Sequence, residues 1–455
     1  MLHHLGHNVG TSRREFISRA SCAAVGVSLL GTSGSSVHAD LHTKRPKVAV
    51  VLTEFSFRSH AHVILENFLE QYYHNGRLTD PGVDVVSFYV DQFPEDGDMA
   101  RDVARDYGIR IFPTIDEALC LGGKSLAVDG VLSIAEFGDY PLNEKGQRLY
   151  PRKRFFDEIV AVMRRSGRSV PLFNDKHLSY RKDWAVEMYD TARQLKIPFM
   201  AGSSVPLAQR RPPLELENGV RIDEAVAIHG GPLEVYDFHS LEQLESLVEF
   251  RAGGETGVES VRFLEGDDVW KAADEGEWSA DLAKAALQAE LGPEHPPMRA
   301  FVELGREDSN VIPSHAILLR YHDGLRATVL RVGSNDFRWN FACRVAGQSE
   351  PLATSYYVGP WRNRNLFKAL AFSIQRFIIE KQAPYPVERT LLATAVLDAA
   401  MESRVRNGSV EKLPTPAITY QARDFRQMRE MGENWKIITE EMPEPRGIEP
   451  GGPRP

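Results

Sequence analysis

The feature that most constrains the fold is a regular alternation, between residues 47 and 202, of short apolar runs with longer amphipathic segments. The apolar runs are rich in valine, which is typical of strands that are buried in a parallel sheet. They cover residues 47–52, 83–90, 109–112, 128–134, 170–173 and 198–202, and helical segments cover residues 61–73, 99–107, 155–166 and 184–195. The alternation predicts an α/β fold with a Rossmann-like, doubly wound parallel sheet over residues 40–204.

The pattern changes after about residue 204, where longer half-buried strands are separated by fewer helices. Strands are predicted at residues 220–228, 260–263, 315–321 and 325–332, and helices at residues 241–250, 278–291, 366–381 and 387–405. This arrangement predicts a C-terminal α+β domain over residues 205–440 with a mainly antiparallel sheet. Residues 441–455 contain five prolines and three glycines, and their composition predicts a disordered tail.

Residues 1–39 are predicted to be a twin-arginine signal peptide. Arg13 and Arg14 precede an apolar run at residues 20–30, and a small-residue cleavage site follows at residues 37–39. The apolar run is shorter than the ~20 residues that span a bilayer, so no stable membrane anchor is expected. The alternative is a disordered basic N-terminus. The sequence therefore predicts a mature protein that begins near Asp40, uses the twin-arginine export machinery and works in the periplasm or outside the cell.

The charge balance excludes some partners of the mature protein. Removing residues 1–39 takes away three arginines and one glutamate, so the net charge falls from −9 to −11. Such an acidic chain is a poor partner for nucleic acid or for an anionic membrane. Cys120 and Cys343 are the cysteines left after removal of the signal. We expect both to be buried free thiols, although an exported protein could also join them.

Three parts of the chain resemble the glucose–fructose oxidoreductase/inositol dehydrogenase/MocA family of two-domain sugar and polyol oxidoreductases. The first comprises residues 128–131, 170–177 and 201–203, the second is residues 236–242, and the third runs from Pro384 through Ser403 to Gly408. The first is similar to the family's strand, Glu-Lys-Pro motif, helix and next strand, and the second to its Asp/His catalytic segment. The resemblance implies a nicotinamide cofactor, NAD or NADP, a carbohydrate-like substrate and a homo-oligomer.

Two candidate catalytic groups follow from position and from this resemblance. Lys176 lies just past the carboxyl end of a predicted buried strand, where open α/β sheets bind their ligands. In the resembled family a lysine here orients a substrate hydroxyl, although here it is followed by His177 where the family has proline. His239 has a side chain suited to acid–base catalysis at neutral pH, and Asp237, two residues earlier, is predicted to orient its imidazole. The alternative for each residue is a structural role.

The predicted cofactor site departs from the family pattern. The turn from Thr53 to His60 lacks the G-x-G-x-x-G glycines that let backbone approach a pyrophosphate. Ser56, Arg58 and Ser59 in this turn are predicted to bind a phosphate instead. Asp91, at the end of the second strand, is predicted to bind a ribose, or else to be an ordinary loop aspartate.

A metal site is the less favoured interpretation of the paired histidines and carboxylates. His60 and His62, Asp175 and His177, and Asp237 and His239 each stand two residues apart. Such groups bind zinc, manganese or iron if they converge, but we expect His60 and His62 to stay apart from the others.

The sequence thus predicts an exported oxidoreductase that acts on a sugar, polyol or sugar-derived acid. One alternative is a cofactor-independent or metal-dependent epimerase, lyase or hydrolase that uses the same acid–base pair. Another is a carbohydrate-binding protein without catalysis that keeps the fold alone.

Overall fold

The computed structural model describes residues 44–302, 313–413 and 417–449. The predicted signal peptide and its cleavage site therefore lie outside the described residues. The described residues from Arg45 onward form one compact unit, and a continuous apolar core reaches from the first sheet into the second. Among the described residues, the structure contains no helix that is both long enough and apolar enough to cross a membrane.

The N-terminal part is a six-stranded parallel sheet, which confirms the predicted doubly wound fold. The strands lie in the order β5-β4-β1-β6-β7-β8, and the direction of winding reverses between β1 and β6. The strands are β1 (Lys47–Leu52), β4 (Asp84–Val90), β5 (Arg110–Phe112), β6 (Gly130–Ile134), β7 (Leu172–Asp175) and β8 (Phe199–Gly202), with a separate hairpin of β2 (Tyr72–His74) and β3 (Arg77–Thr79). The helices are α1 (His60–Leu69), α2 (Ala100–Asp106), α3 (Ile115–Cys120), α4 (Arg152–Ser166) and α5 (Lys182–Gln194).

The C-terminal part is an eight-stranded sheet that is antiparallel except where β10 pairs with β13. This sheet confirms the predicted α+β architecture. Its order is β16-β11-β12-β13-β10-β14-β15-β9. The strands are β9 (Gln209–Arg211), β10 (Ile222–His229), β11 (Val258–Glu265), β12 (His315–Tyr321), β13 (Arg326–Arg331), β14 (Trp339–Val345), β15 (Leu352–Tyr357) and β16 (Glu411–Lys412). The helices are α6 (Val235–Val248), α7 (Asp267–Asp274), α8 (Ala280–Leu291), α9 (Phe367–Glu380) and α10 (Val387–Val405).

Helix α6 occupies the centre of the molecule, since every residue from Asp237 to Val248 is buried. It contacts both β10 of the second sheet and α10, which in turn contacts β8 of the first sheet. A helix that is buried all round places even its polar side chains inside the protein, where they must find partners. The helix therefore brings titratable groups to the junction between the two sheets.

The prediction of a disordered tail is wrong for residues 441–449. The carboxylate of Glu444 pairs with Arg58 and Arg364, and the ammonium of Lys368 lies 2.6 Å from the carboxylate of Glu449. These ion pairs hold the segment against the loop before α1 and against α9, and a proline-rich composition does not reveal them. By contrast, Cys120 and Cys343 are free and buried, as predicted.

Candidate active site

A cavity of about 220 Å³ lies beside the carboxyl ends of β6 and β7. Glu136 follows β6 and Lys176 follows β7, while Tyr236 and His239 come from α6 and Trp339 begins β14. The two sheets therefore both contribute to its wall. Carboxyl ends of strands near the reversal of winding are where open α/β sheets bind ligands, so this is the candidate active site.

Lys176 lies in this cavity, at the position predicted from the sequence. Its backbone has a φ of 63°, in the left-handed region, and its N–H donates to the carbonyl of Gly202. The residue is only 3 % exposed, and its Nζ donates to Oε1 of Glu136 at 2.9 Å. The other carboxylate oxygen of Glu136 accepts from Arg152 at 2.6 Å. An ammonium has three N–H groups, so Lys176 keeps two more to donate.

Glu136 stays ionised between these two cations. Burial alone would raise its pKa, but the charges of Lys176 and Arg152 outweigh burial and lower the pKa of the carboxyl group. The guanidinium of Arg152 also donates to Nε2 of His177 at 3.0 Å. Behind the cavity, a buried ionic network thus fixes the position of Lys176.

His239 lines the same cavity and is 7 % exposed. Burial and the nearby charge of Lys176 lower its pKa well below the usual value, so the imidazole is neutral at neutral pH. Its Nδ1 lies 2.6 Å from Oγ of Ser203, which also accepts from the N–H of Val205. The residue that positions His239 is therefore Ser203, which was not predicted although it directly follows the last strand of the parallel sheet.

Asp237 does not have the predicted role. Positions i and i+2 share a face on a strand but not on a helix, and these residues lie in the first turns of α6. Asp237 accepts instead from the backbone N–H of Glu234 at 2.7 Å. Its other oxygen contacts Nε2 of His229 at 3.0 Å and Nε2 of His315 at 2.8 Å. Despite burial, these two histidines lower the pKa of the Asp237 carboxyl group.

His229, Asp237 and His315 are therefore a group that could hold a metal ion, since their ligand atoms lie within 4.8 Å of one another. This group was not predicted, because His229 and His315 belong to strands far apart in the sequence. Both Nε2 atoms already bond to Asp237, while Nδ1 of His229 is buried without a hydrogen-bond partner in the described part of the chain. His60, expected to stay apart from the other predicted pairs, contacts Asp175 with its Nδ1 2.6 Å from the carboxylate.

The predicted phosphate-binding residues are engaged with other groups. The hydroxyl of Ser59 caps α1 by accepting from His62 N–H, and the backbone N–H of Ser56 also donates to it. The N–H of Arg58 donates to Nδ1 of His62 at 2.9 Å, and its guanidinium pairs with Glu444. Phosphates at helix N-termini are bound through free N–H groups, and here side chains take up the N–H of His62 and two N–H groups of the preceding turn.

The predicted ribose ligand, Asp91, is also occupied. The hydroxyls of Tyr89 and Tyr140 each donate to it at 2.6 Å, and Arg154 forms an ion pair with it. Burial opposes ionisation, but these hydrogen bonds lower the pKa of Asp91. Together with the turn before α1, this arrangement does not fit a dinucleotide bound in the usual way.

The cavity does suit a small hydroxylated ligand. The rings of Tyr236 and Trp339 stack at 5.0 Å between centroids with planes 11° apart, and both residues line the cavity. Oγ of Ser204 and Nε1 of Trp339 are buried and have no hydrogen-bond partner within the described part of the chain. Buried polar atoms are normally paired, so a ligand that fills the cavity would supply what these two atoms lack.

No family model matches the chain, and no curated protein matches it either. Among solved structures, GenD2 from gentamicin A biosynthesis, crystallised with NAD, is 12% identical with a TM-score of 0.51, over 86% of this chain and 100% of its own. The myo-inositol dehydrogenase of Lactobacillus casei, crystallised with NAD(H) and myo-inositol, is 12% identical with a TM-score of 0.50, over 82% of this chain and 98% of its own. The fold expected from the family resemblance is thus confirmed.

Proposed function

We propose that the protein is an enzyme that acts on a polyol or sugar bound in the candidate active site. One observation carries the proposal: Lys176 from the parallel sheet and His239 from α6 line the same cavity. A buried ammonium and a neutral imidazole on one small cavity are a hydrogen-bond donor and a base for the same substrate. The aromatic pair of Tyr236 and Trp339 provides a face for the apolar side of a sugar ring.

The protonation states of Lys176 and His239 give the two side chains different roles. When Nδ1–H of His239 donates to Ser203, Nε2 carries a lone pair and accepts a proton from the substrate. Lys176, held by Glu136, donates to the substrate oxygen and stabilises the negative charge that develops there. Ser203 acts through His239 and is a positioning residue.

An oxidoreductase is the reaction class that we propose first, with a polyol or sugar hydroxyl as the group oxidised. Two solved structures of similar fold are a myo-inositol dehydrogenase bound to NAD(H) and a protein bound to NAD. NAD or NADP is accordingly the hydride acceptor to test. The occupied turn before α1 favours a second class, in which His239 removes a proton from carbon in an epimerisation or elimination that needs no nicotinamide.

The test combines cofactor analysis with turnover. The purified protein is denatured, and released nucleotide and metal are measured. Native protein is then assayed with myo-inositol and hexoses, with and without added NAD or NADP. Stoichiometric nucleotide, or turnover that depends on it, supports the oxidoreductase. Turnover without nucleotide supports the second class, and sugar binding without turnover would show a binding protein.

Site variants connect the outcome to the cavity. We expect Lys176→Met and His239→Gln each to lower kcat by about 10²-fold or more, the usual contribution of an acid–base group. Lys124→Met is the matched control, because Lys124 is exposed and lies outside the cavity. Equal activity in all three variants would show that the cavity is not the active site.

We also propose that the protein is exported through the twin-arginine route and assembles as a homo-oligomer. The paired Arg13 and Arg14 before an apolar run support export, and N-terminal sequencing of the native protein should find Asp40 first. Replacing Arg13 and Arg14 with lysine should retain the protein in the cytoplasm. Light scattering of the purified chain tests the oligomer.

A further inference from the structure

A second cavity, of about 430 Å³, lies away from the candidate active site beside the edge strand β9. Arg210 of β9 and Arg429 both line it, and the two residues are 3 % and 2 % exposed. We call it the arginine cavity. Guanidinium groups are rarely this buried unless each is fully paired.

The pairing of these two arginines is incomplete. One carboxylate, that of Glu215, serves both: its Oε2 lies 3.2 Å from Arg210, and its Oε1 contacts Arg429. Arg210 also donates to the carbonyl of Leu214 at 2.8 Å. Nε of Arg210 and Nε of Arg429 are both buried without a hydrogen-bond partner in the described ranges. Two buried cations thus share one negative charge.

The surroundings add to this imbalance. Tyr356, whose ring lies 5.5 Å from the guanidinium carbon of Arg210, has a buried hydroxyl that also lacks a described partner. Burial and the neighbouring charge of Arg210 lower the pKa of Arg429, in keeping with a guanidinium that shares its one carboxylate. Glu215 itself is 37% exposed, so solvent weakens its attraction.

The remaining wall determines what kind of anion would fit. Apolar side chains form one side of the cavity: Leu216, Leu247, Phe250, Ala422 and Phe425. The other charged residues that line the cavity are exposed. Arg426 pairs with Asp424, while Glu217 lies on the rim. Pockets for small organic molecules combine an apolar wall with a few convergent polar groups.

We propose that the arginine cavity binds a small organic anion, a carboxylate or phosphate group attached to an apolar or aromatic body. The anionic group would lie beside Arg210 and Arg429 and pair with their guanidinium groups, because guanidinium binds such oxyanions through paired N–H donors. The apolar body would lie against Phe250 and Phe425. The site is separate from the cavity that contains Lys176, so it stands whatever reaction that cavity performs.

Calorimetric titration of the full chain with phenyl phosphate tests the proposal, with inorganic phosphate and phenol as the two halves of the probe. We expect phenyl phosphate to bind at least about tenfold more tightly than either half, since each half forms only one of the two sets of contacts. Equal affinity for phenyl phosphate and phosphate would reduce the site to a simple anion site and overturn the proposed ligand class. If none of the three probes binds, the proposed site is wrong.

Three variants locate the binding. Arg429→Gln should weaken binding of phenyl phosphate by about tenfold or more, the loss of a charge-assisted hydrogen bond. Arg426→Gln removes the same charge from an exposed side chain on the rim and should change affinity by less than about threefold. Glu215→Gln should tighten binding, because the probe no longer competes with the internal carboxylate. Unchanged affinity in both Arg429→Gln and Glu215→Gln would overturn the proposal even if one variant is less stable.

Discussion

Replacing Glu136 with glutamine is the most direct test of the ionic network behind the active site. Both carboxylate oxygens of Glu136 are used, one by Lys176 and one by Arg152, and all three side chains are at most 6% exposed. The glutamine side chain keeps one acceptor and turns an amide N–H₂ toward the other cation. Removing one partner of a buried ion pair costs about 3–5 kcal/mol. We expect the free energy of unfolding to fall by that amount in urea titrations at pH 7.

A double-mutant cycle shows whether the loss comes from uncompensated charge. Lys176→Met alone leaves Glu136 paired with Arg152 and should cost less than Glu136→Gln. The double variant removes one of the two unpaired cations, so it should be more stable than Glu136→Gln by about 1 kcal/mol or more. Glu158→Gln breaks a half-exposed pair with Arg154 and should cost less than about 1 kcal/mol. A double variant as unstable as Glu136→Gln would refute the reasoning.

The stability of the Glu136→Gln variant relative to wild type has a defined pH dependence. The folded-state pKa of Glu136 is lowered, so its stabilisation is complete above the unfolded-state pKa of about 4.3 and is lost as pH falls through the lower folded-state pKa. The stability difference between wild type and Glu136→Gln should therefore be constant near neutrality and narrow below about pH 4. A difference that grows on acidification would contradict an ionised Glu136.

Variants at four further residues test other parts of the structure. Ser203→Ala should lower kcat and shift the pH profile, while Ser203→Thr, which keeps the hydroxyl, should restore both. Asp237→Asn should reduce the free energy of unfolding by about 3–5 kcal/mol in urea titrations, because the carboxylate is buried between two histidines and a backbone N–H. Burial raises the pKa of Glu242 to about 7. The contribution of Glu242 to stability is therefore favourable below pH 4 and is lost as pH rises through 7. Thermal melts should show that Glu242→Gln is more stable relative to wild type at pH 8 than at pH 5. Glu444→Gln removes the carboxylate from Arg58 and Arg364 and should lower Tm, more at low salt than at high salt.

Residue patterns predicted the architecture well because apolar periodicity is a local property. Runs such as residues 47–52 and 128–134 are valine-rich and short, and both became buried parallel strands. The same local argument placed Lys176 at a strand end and therefore in the cavity. The predicted strand at residues 315–321 of the second sheet is also confirmed, since β12 covers these residues.

Local patterns were less informative where a helix begins without the usual signals. The sequence predicts a helix at residues 241–250, but α6 starts at Val235, and its N-cap is Glu234 with a φ of 69°. Serine, threonine, aspartate and asparagine are the preferred N-caps, so a glutamate in the left-handed region gives no recognisable start. Without that start, the sequence does not show that Asp237 and His239 lie on a helix, where side chains two residues apart do not face each other. The helix instead directs Asp237 toward His229 and His315, which lie on strands that the sequence places 8 residues before it and 78 residues after it.

The glycine-free turn and the C-terminal segment belong to one arrangement. In the sequence, Arg58 stands in a turn just before a helix, which predicts that it binds a phosphate. In the fold, its partner is Glu444, 386 residues later in the chain, and the same carboxylate also contacts Arg364. The carbonyl of Gly447 then accepts from Arg364 at 2.6 Å and lies 3.1 Å from Nε2 of His62. The protein's own carboxylate and carbonyl groups thus take the positive groups that a phosphate bound in the usual way would need, and side chains stand in this turn where the family pattern has glycines.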